Sequence, residues 1–197
     1  ILKNIDNRLE KEWKPRDAEG KVFHNQFLDN IDFTSGNWMV IARTNKMLPT
    51  IKDRLVSLNL RFDCKFNSLD KPIEAYKIWV RLNEGATVGA EEAKKIYKYL
   101  NVKNKQIKKN YSLGKSLDKG DDLFSKARIK VSTIHGVKGE ECDNVVLFTD
   151  LRKVIYEAAR VKPNPEHRLF FVGVTRAKEN LYIMQPTEEY YYTIGDP

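Results

Sequence analysis

The sequence predicts an α/β domain, a mainly parallel sheet flanked by helices, on three observations. Two mostly apolar runs, Trp38-Met39-Val40-Ile41-Ala42 and Asn144-Val145-Val146-Leu147-Phe148-Thr149, have the composition of strands buried on both faces. Amphipathic helical patterns separate the strands, so successive strands are joined by crossovers rather than hairpins. Polar residues and glycines follow the apolar runs directly, where an open sheet presents its ligand-binding loops.

The 197 residues, 41% hydrophobic, suffice for the core of one large domain, or of one domain with an insertion. No stretch is long and apolar enough to span a bilayer. The opening Ile1-Leu2-Lys3-Asn4-Ile5-Asp6 lacks the apolar core and cleavage site of a signal peptide. A cytoplasmic chain without a membrane partner is expected, and a start at Ile1 rather than Met suggests a piece of something longer. Cys64 and Cys142 form no CxxC pair, and His24, His135 and His167 lack metal-ligand spacing, so neither a disulfide nor a metal site is expected. A net charge of +8 and a pI near 9.3 point to an anionic partner. Charge alone does not choose between DNA, RNA, nucleotide and anionic membrane.

Taken in order, Ile1, Ile5, Leu9 and Trp13 stand four apart, a narrow helical stripe that Pro15 and Gly20 end. A second short helix is expected over Val22, Phe23, Phe27, Leu28 and Ile31. The Trp38–Ala42 strand then delivers Arg43-Thr44-Asn45 at its carboxyl end, followed by a helix marked by Leu48, Ile51, Leu55 and Leu58. Residues 61–66 alternate as a strand. Asp70 and Pro72 open a helix through Ile73, Tyr76, Trp79 and Val80, and another carries Ala93, Ile96, Tyr97 and Leu100. From Lys94 to Lys130 lysines crowd together with Tyr97, Tyr99, Tyr111 and Phe124. Basic residues mixed with aromatics suit a nucleic-acid backbone with stacked bases, and suit a solvated surface segment equally well. A strand over residues 129–132, the Asn144–Thr149 strand, and a connection of some helical character over 150–162 come next. A helix with Asn164 as its cap and Pro165-Glu166 in its first turn carries Leu169 and Val172, and Leu181-Tyr182-Ile183-Met184 closes as a strand. The Tyr190-Tyr191-Tyr192 tail receives no assigned role.

Two stretches carry concentrated chemistry. Thr133-Ile134-His135-Gly136-Val137-Lys138-Gly139-Glu140-Glu141 gathers a hydroxyl, an imidazole, an ammonium and two carboxylates around two glycines, after a buried strand. Such a turn can bring backbone N–H groups close to phosphate oxygens. Arg168-Leu169-Phe170-Phe171-Val172-Gly173-Val174-Thr175-Arg176-Ala177 presents an arginine after a glycine-containing helix, and a guanidinium is a rigid, permanently charged fork suited to phosphate. Taken singly, Arg43 reads as a surface or capping residue and Arg176 as a salt-bridged one. The chain contains no GxxxxGK[ST] loop of its own, and His135 has no nucleophile and orienting group at triad spacing.

Ala42-Arg43-Thr44-Asn45 and these two stretches, in that order along the chain, resemble motifs IV, V and VI of the UvrD/Rep/PcrA group of superfamily 1 DNA helicases. The resemblance covers residues 38–58 and 128–184. It implies the second RecA-like motor domain of an ATP-dependent DNA helicase, working in DNA replication or repair. ATP would sit between this domain and an N-terminal RecA-like domain that supplies Walker A, Walker B and most of the Mg2+ coordination, so the chain alone would not hydrolyse ATP. Matched by motif, Arg43 and Arg176 would be arginine fingers on the γ-phosphate, Gly139 would lie against the nucleotide, and Glu141 would contact the ribose. Glu140 stands where the family usually has an apolar residue, which leaves two adjacent carboxylates as candidates for the sugar. Thr133, His135, Lys138 and Thr175 would contact single-stranded DNA or couple it to the ATP cleft, and Arg168 would support motif VI. Partners would be single-stranded DNA and DNA junctions. The implied organisation is a motor domain over 1–66 and 128–187, a reduced, mostly helical basic insertion over 67–127, and a tail over 188–197. A RecA-like nucleic-acid-binding or docking module without ATPase activity is the alternative.

Overall fold

The computed structural model describes Ile1, Asn4, Ile5 and residues 17–58, 60–64, 70–100 and 126–195. The elements in chain order are β1 (Lys21–Gln26), β2 (Trp38–Ala42), α1 (Leu48–Ser57), β3 (Phe62–Cys64), α2 (Asp70–Asn83), α3 (Ala90–Leu100), β4 (Ile129–Thr133), β5 (Cys142–Leu147), α4 (Lys153–Val161), α5 (Asn164–Val174) and β6 (Ala177–Met184). They divide into two compact units, residues 1–52 with 129–197, and residues 53–128. The 67–127 insertion drawn from sequence falls inside the second unit.

In the first unit the strands lie in the order β1-β6-β5-β2-β4, with each pairing parallel. All five residues of β2 are buried, as a strand flanked on both sides and covered on both faces requires. Its register sets Ala42 beside Thr133 and Ile41 beside Leu147, and Leu147 in turn beside Ile183. The carboxyl ends of these strands therefore share one edge of the sheet. Met39, Ile41, Ile134, Val145, Leu147, Phe170 and Leu181 belong to the core cluster packed against it.

Residues 22–31 do not form the expected helix. They form strand β1 followed by a single 3-10 turn over Leu28–Asn30. Val22 and Phe23 pair with Leu181 and Tyr182, and the Phe23 ring stacks on Tyr182 at 4.6 Å. The strand is largely exposed, so no clean alternation marks it, and parallel pairing overrides the helix-like spacing of its apolar residues.

Helix α5 starts one residue earlier than expected. Asn164 is its first residue rather than its cap, and Pro163 occupies the cap position without a side-chain hydrogen bond. Leu169, Phe170 and Gly173 form its buried face. A Cβ added at Gly173 would lie 3.4 Å from Leu147 Cδ1 and 3.5 Å from Ile134 Cδ1, which measures how closely the helix sits on the sheet.

The tail, unassigned from sequence, completes this core. Tyr192 stacks on Phe170 with ring centroids 4.1 Å apart, and its hydroxyl lies 2.7 Å from His167 Nδ1. The buried Asp150 carboxylate accepts hydrogen bonds from the backbone N–H groups of Thr187 and Glu188 at 2.7 and 2.8 Å, and Tyr192 N–H donates to the Thr149 carbonyl. Burial, with the nearby Glu166 charge second, pushes the Tyr192 phenol up to about 12.

In the second unit α2 and α3 pack as a hairpin, with Ile73, Ala75 and Ile78 buried on one helix and Ile96 on the other. Glu92 accepts from Gly89 N–H and pairs with Arg81 at 2.9 Å, and these contacts hold its carboxyl below the usual range. Returning to the residue just before the helix, Glu92 satisfies an end N–H of α3. Lys95 pairs with Glu74 across the hairpin at 2.7 Å. Most of the lysine-rich stretch, with Tyr111 and Phe124, lies outside the described residues, as does the helix expected over residues 1–13 apart from Ile1, Asn4 and Ile5. Among the described residues no helix is long and apolar enough to cross a membrane.

Candidate functional site

The residues singled out from sequence lie at two opposite edges of the first unit's sheet. At the carboxyl edge, Arg43 directly follows β2 and Thr133 ends β4, with Ile134 N–H donating to the Ala42 carbonyl at 2.9 Å. His135 and Gly136 open a short 3-10 turn over His135–Val137, in which the Thr133 hydroxyl accepts from Gly136 N–H at 3.2 Å. A Cβ on Gly136 would collide with the Ser132 hydroxyl, so this turn needs the missing side chain. His135 and Lys138 are exposed, and Thr133 is half-buried.

Arg43 is not a free cation at this edge. Its Nε and Nη2 each donate to a Glu166 carboxylate oxygen at 2.7 Å, a fork-to-fork pair. The two side chains retain 19% and 10% exposure. Glu166 sits in the first turn of α5, where the helix N-terminus also favours a carboxylate. Sequence reading passed over Glu166, although a signal was present: Glu166, Leu169, Phe170 and Gly173 share the spacing of one buried helix face, and a carboxylate there requires a partner.

An open cavity of about 600 Å3 lies beside the same edge. Lys46 and Met47, just after Arg43, line it with Phe148, Arg152, Lys153 and Tyr190. Asp150, Glu157 and Glu188 line it too, so it combines apolar and aromatic surface with charges of both signs.

At the amino edge stand Arg176, Thr175, Glu140 and Glu141. Arg176 immediately precedes β6, and its carbonyl accepts from Cys142 N–H at the start of β5. Nε donates to the Val172 carbonyl at 2.8 Å, Nη1 to the Glu140 carbonyl at 2.9 Å and Nη2 to the Thr175 hydroxyl at 3.0 Å. The Thr175 hydroxyl in turn donates back into α5, to the Phe171 and Val172 carbonyls. Thr175 is therefore a bracket for the guanidinium. Three of five N–H groups are used, none on a carboxylate, which leaves two donors and the full positive charge available.

Glu140 is engaged by Lys130, whose ammonium reaches it at 2.6 Å, whereas Glu141 is exposed. Gly139 adopts φ +85° with no atom within 4 Å of an added Cβ, so here glycine serves the backbone conformation rather than a close approach. Burial pushes the Cys142 thiol up, away from thiolate chemistry.

This geometry separates residues that the resemblance grouped. Arg43 follows a strand and Arg176 precedes one in a parallel sheet, so they occupy opposite edges. The eight residues of β6 alone span on the order of 20 Å at about 3.3 Å per residue. Each guanidinium is held at its own edge by its own hydrogen bonds. Thr175 is hydrogen-bonded to Arg176, while Gly173, two residues before it, packs on Ile134. The Thr133–Glu141 segment runs from one edge to the other.

No described group of three or more His, Cys, Asp or Glu side chains is placed to hold a metal ion. No curated protein matches the chain. A family model described as the UvrD-like helicase C-terminal domain matches residues 81–188, a span that includes the whole of Thr133–Glu141 and Arg168–Ala177 but not Arg43. With its parallel RecA-like α/β sheet and both of these segments inside the match, the chain belongs to the UvrD-like helicase C-terminal domain family.

Proposed function

We propose that the chain is the C-terminal motor domain of an ATP-dependent DNA helicase, and that the two edges of its sheet divide the work. The amino edge faces ATP, held jointly with a Walker A domain, and the carboxyl edge carries the DNA strand. The observation that carries this reading is Arg176, a cation without a carboxylate partner among the described residues, immobilised by two carbonyls and a bracketing hydroxyl with donors to spare. Such preorganisation is what stabilising the charge on a transferring phosphoryl group requires. Beside it, Glu141 is the carboxylate left for the ribose, since Glu140 already serves Lys130.

Arg43 fits the nucleic-acid edge rather than the γ-phosphate. Its charge is shared with Glu166, yet the pairing uses only the Nε and Nη2 side of the guanidinium, leaving the Nη1 side for a second acceptor such as a backbone phosphate. Thr133, His135 and Lys138 supply further polar contacts, and the adjoining cavity offers Phe148 and Tyr190 for a base with Lys46 and Arg152 for its phosphates. The Mg2+ of the reaction belongs to the Walker A domain in this reading, since the described residues offer no donor set for it.

The test is Arg176→Ala in the complete protein that carries this chain. Turnover should fall by about 10³-fold or more, the scale of an arginine finger, while nucleotide affinity changes far less. Turnover near that of the unaltered protein would defeat the assignment. A complete protein that binds DNA without hydrolysing ATP would establish the binding-module alternative instead.

A further inference from the structure

We infer that Glu166 is a positioning residue that ties the nucleic-acid edge to the nucleotide edge through helix α5. The inference rests on the division of edges proposed above. Glu166 lies in the first turn of α5 and holds Arg43 at the carboxyl edge, while the last turn leads directly into Thr175 and Arg176 at the amino edge. An 11-residue helix spans roughly 16 Å at about 1.5 Å per residue. The guanidinium at the far end hydrogen-bonds to the helix itself, through Val172.

Two features make this helix a stiff link rather than a mere neighbour. The Glu166–Arg43 pair is a planar, two-pronged contact, so a displacement of Arg43 by a bound strand is handed to the helix instead of being absorbed by side-chain rotation. Gly173 seats the same helix against Ile134, the residue between Thr133 and His135, and against Leu147. Two carboxyl-edge loops therefore touch α5, the one after β2 by charge and the one after β4 by packing. No part of that description needs Glu166 to meet either ligand.

The experiment measures ATPase activity of the complete protein with and without saturating single-stranded DNA, below the unfolding midpoint. Saturation removes differences in DNA affinity from the comparison. Glu166→Gln keeps the shape of the side chain but loses the charge and one prong. It should leave DNA-independent turnover near that of the unaltered protein and lower the ratio of stimulated to basal activity by at least about fivefold, the lower end of ordinary coupling between sites. Arg43→Lys keeps the charge without the fork and should lower the same ratio, so the test survives if one variant folds poorly. The double variant should be no worse than either single one, because both act through one contact. A residue with a purely structural role would lower stimulated and basal activity together. Stimulation unaffected by Glu166→Gln, or losses that multiply in the double variant, would overturn the coupling alone. Unaltered protein whose ATPase ignores DNA would overturn the functional reading as well.

Discussion

Replacing Glu166 by Ala removes one half of a two-pronged ion pair and leaves the guanidinium of Arg43 in a site built for a carboxylate. Breaking a fully buried pair costs about 3–5 kcal/mol, mostly as the desolvation of the charge left behind. Arg43 keeps 19% of its side-chain surface exposed and can recover some hydration, which places the expected loss near the lower limit, about 3 kcal/mol. At roughly 2–4 °C per kcal/mol for a chain of this size, the unfolding midpoint should fall by about 6–12 °C. Replacing both partners with apolar side chains, Arg43→Met with Glu166→Leu, removes the orphaned charge and should restore most of that loss. Calorimetric or circular-dichroism melts of the two single variants and the double variant form the assay. A Glu166→Ala midpoint within about 2 °C of the unaltered protein would refute the claim that the pair is desolvated. So would a double variant as unstable as the sum of the singles.

Two further expectations concern stability. Tyr192 ionises in the unfolded chain near the ordinary tyrosine value of about 10 but in the fold only at about 12, so its contribution is intact below pH 10 and is lost as pH rises towards 12. Melts recorded across that window should fall less steeply for Tyr192→Phe than for the unaltered protein, and parallel slopes would contradict the burial described for the phenol. Gly136→Ala forces a methyl group against the Ser132 hydroxyl and should cost about 1–3 kcal/mol in denaturant unfolding, with Ser132→Ala recovering part of it in the double variant; equal losses with and without the Ser132 change would sink that account.

Strand β2 was legible because its five residues are all buried and its sequence is uniformly apolar, so burial and composition agree. Strand β5 was found with a shift of two residues, since it begins at Cys142 and Asp143 before its apolar part. β1 was hidden because an exposed outer strand needs no alternating pattern, and what fixes it is pairing with residues some 160 positions away. The Tyr190–Tyr192 tail failed for a related reason: three adjacent tyrosines have no period, and only the fold shows that Tyr192 faces Phe170. For the candidate site, the motif residues were readable but their grouping was not. The clue was nonetheless in the chain, because in a parallel sheet a residue just after one strand and a residue just before another lie at opposite edges. Applied to Arg43 and Arg176, that rule places them at opposite edges.

The pairing of β1 with β6 bears on how the chain acquires its shape during synthesis. Of the described strands, β1 is made first and β6, the partner beside which it lies, is made last. Val22 must wait for Leu181, so the outer part of the sheet has no template until the residues of β6 exist. Closure over so long a separation is a late and slow event by the general relation between contact separation and folding rate. Until it occurs, the edge of β5 that pairs with β6 stands open, and the nascent domain depends on that interval being brief or guarded.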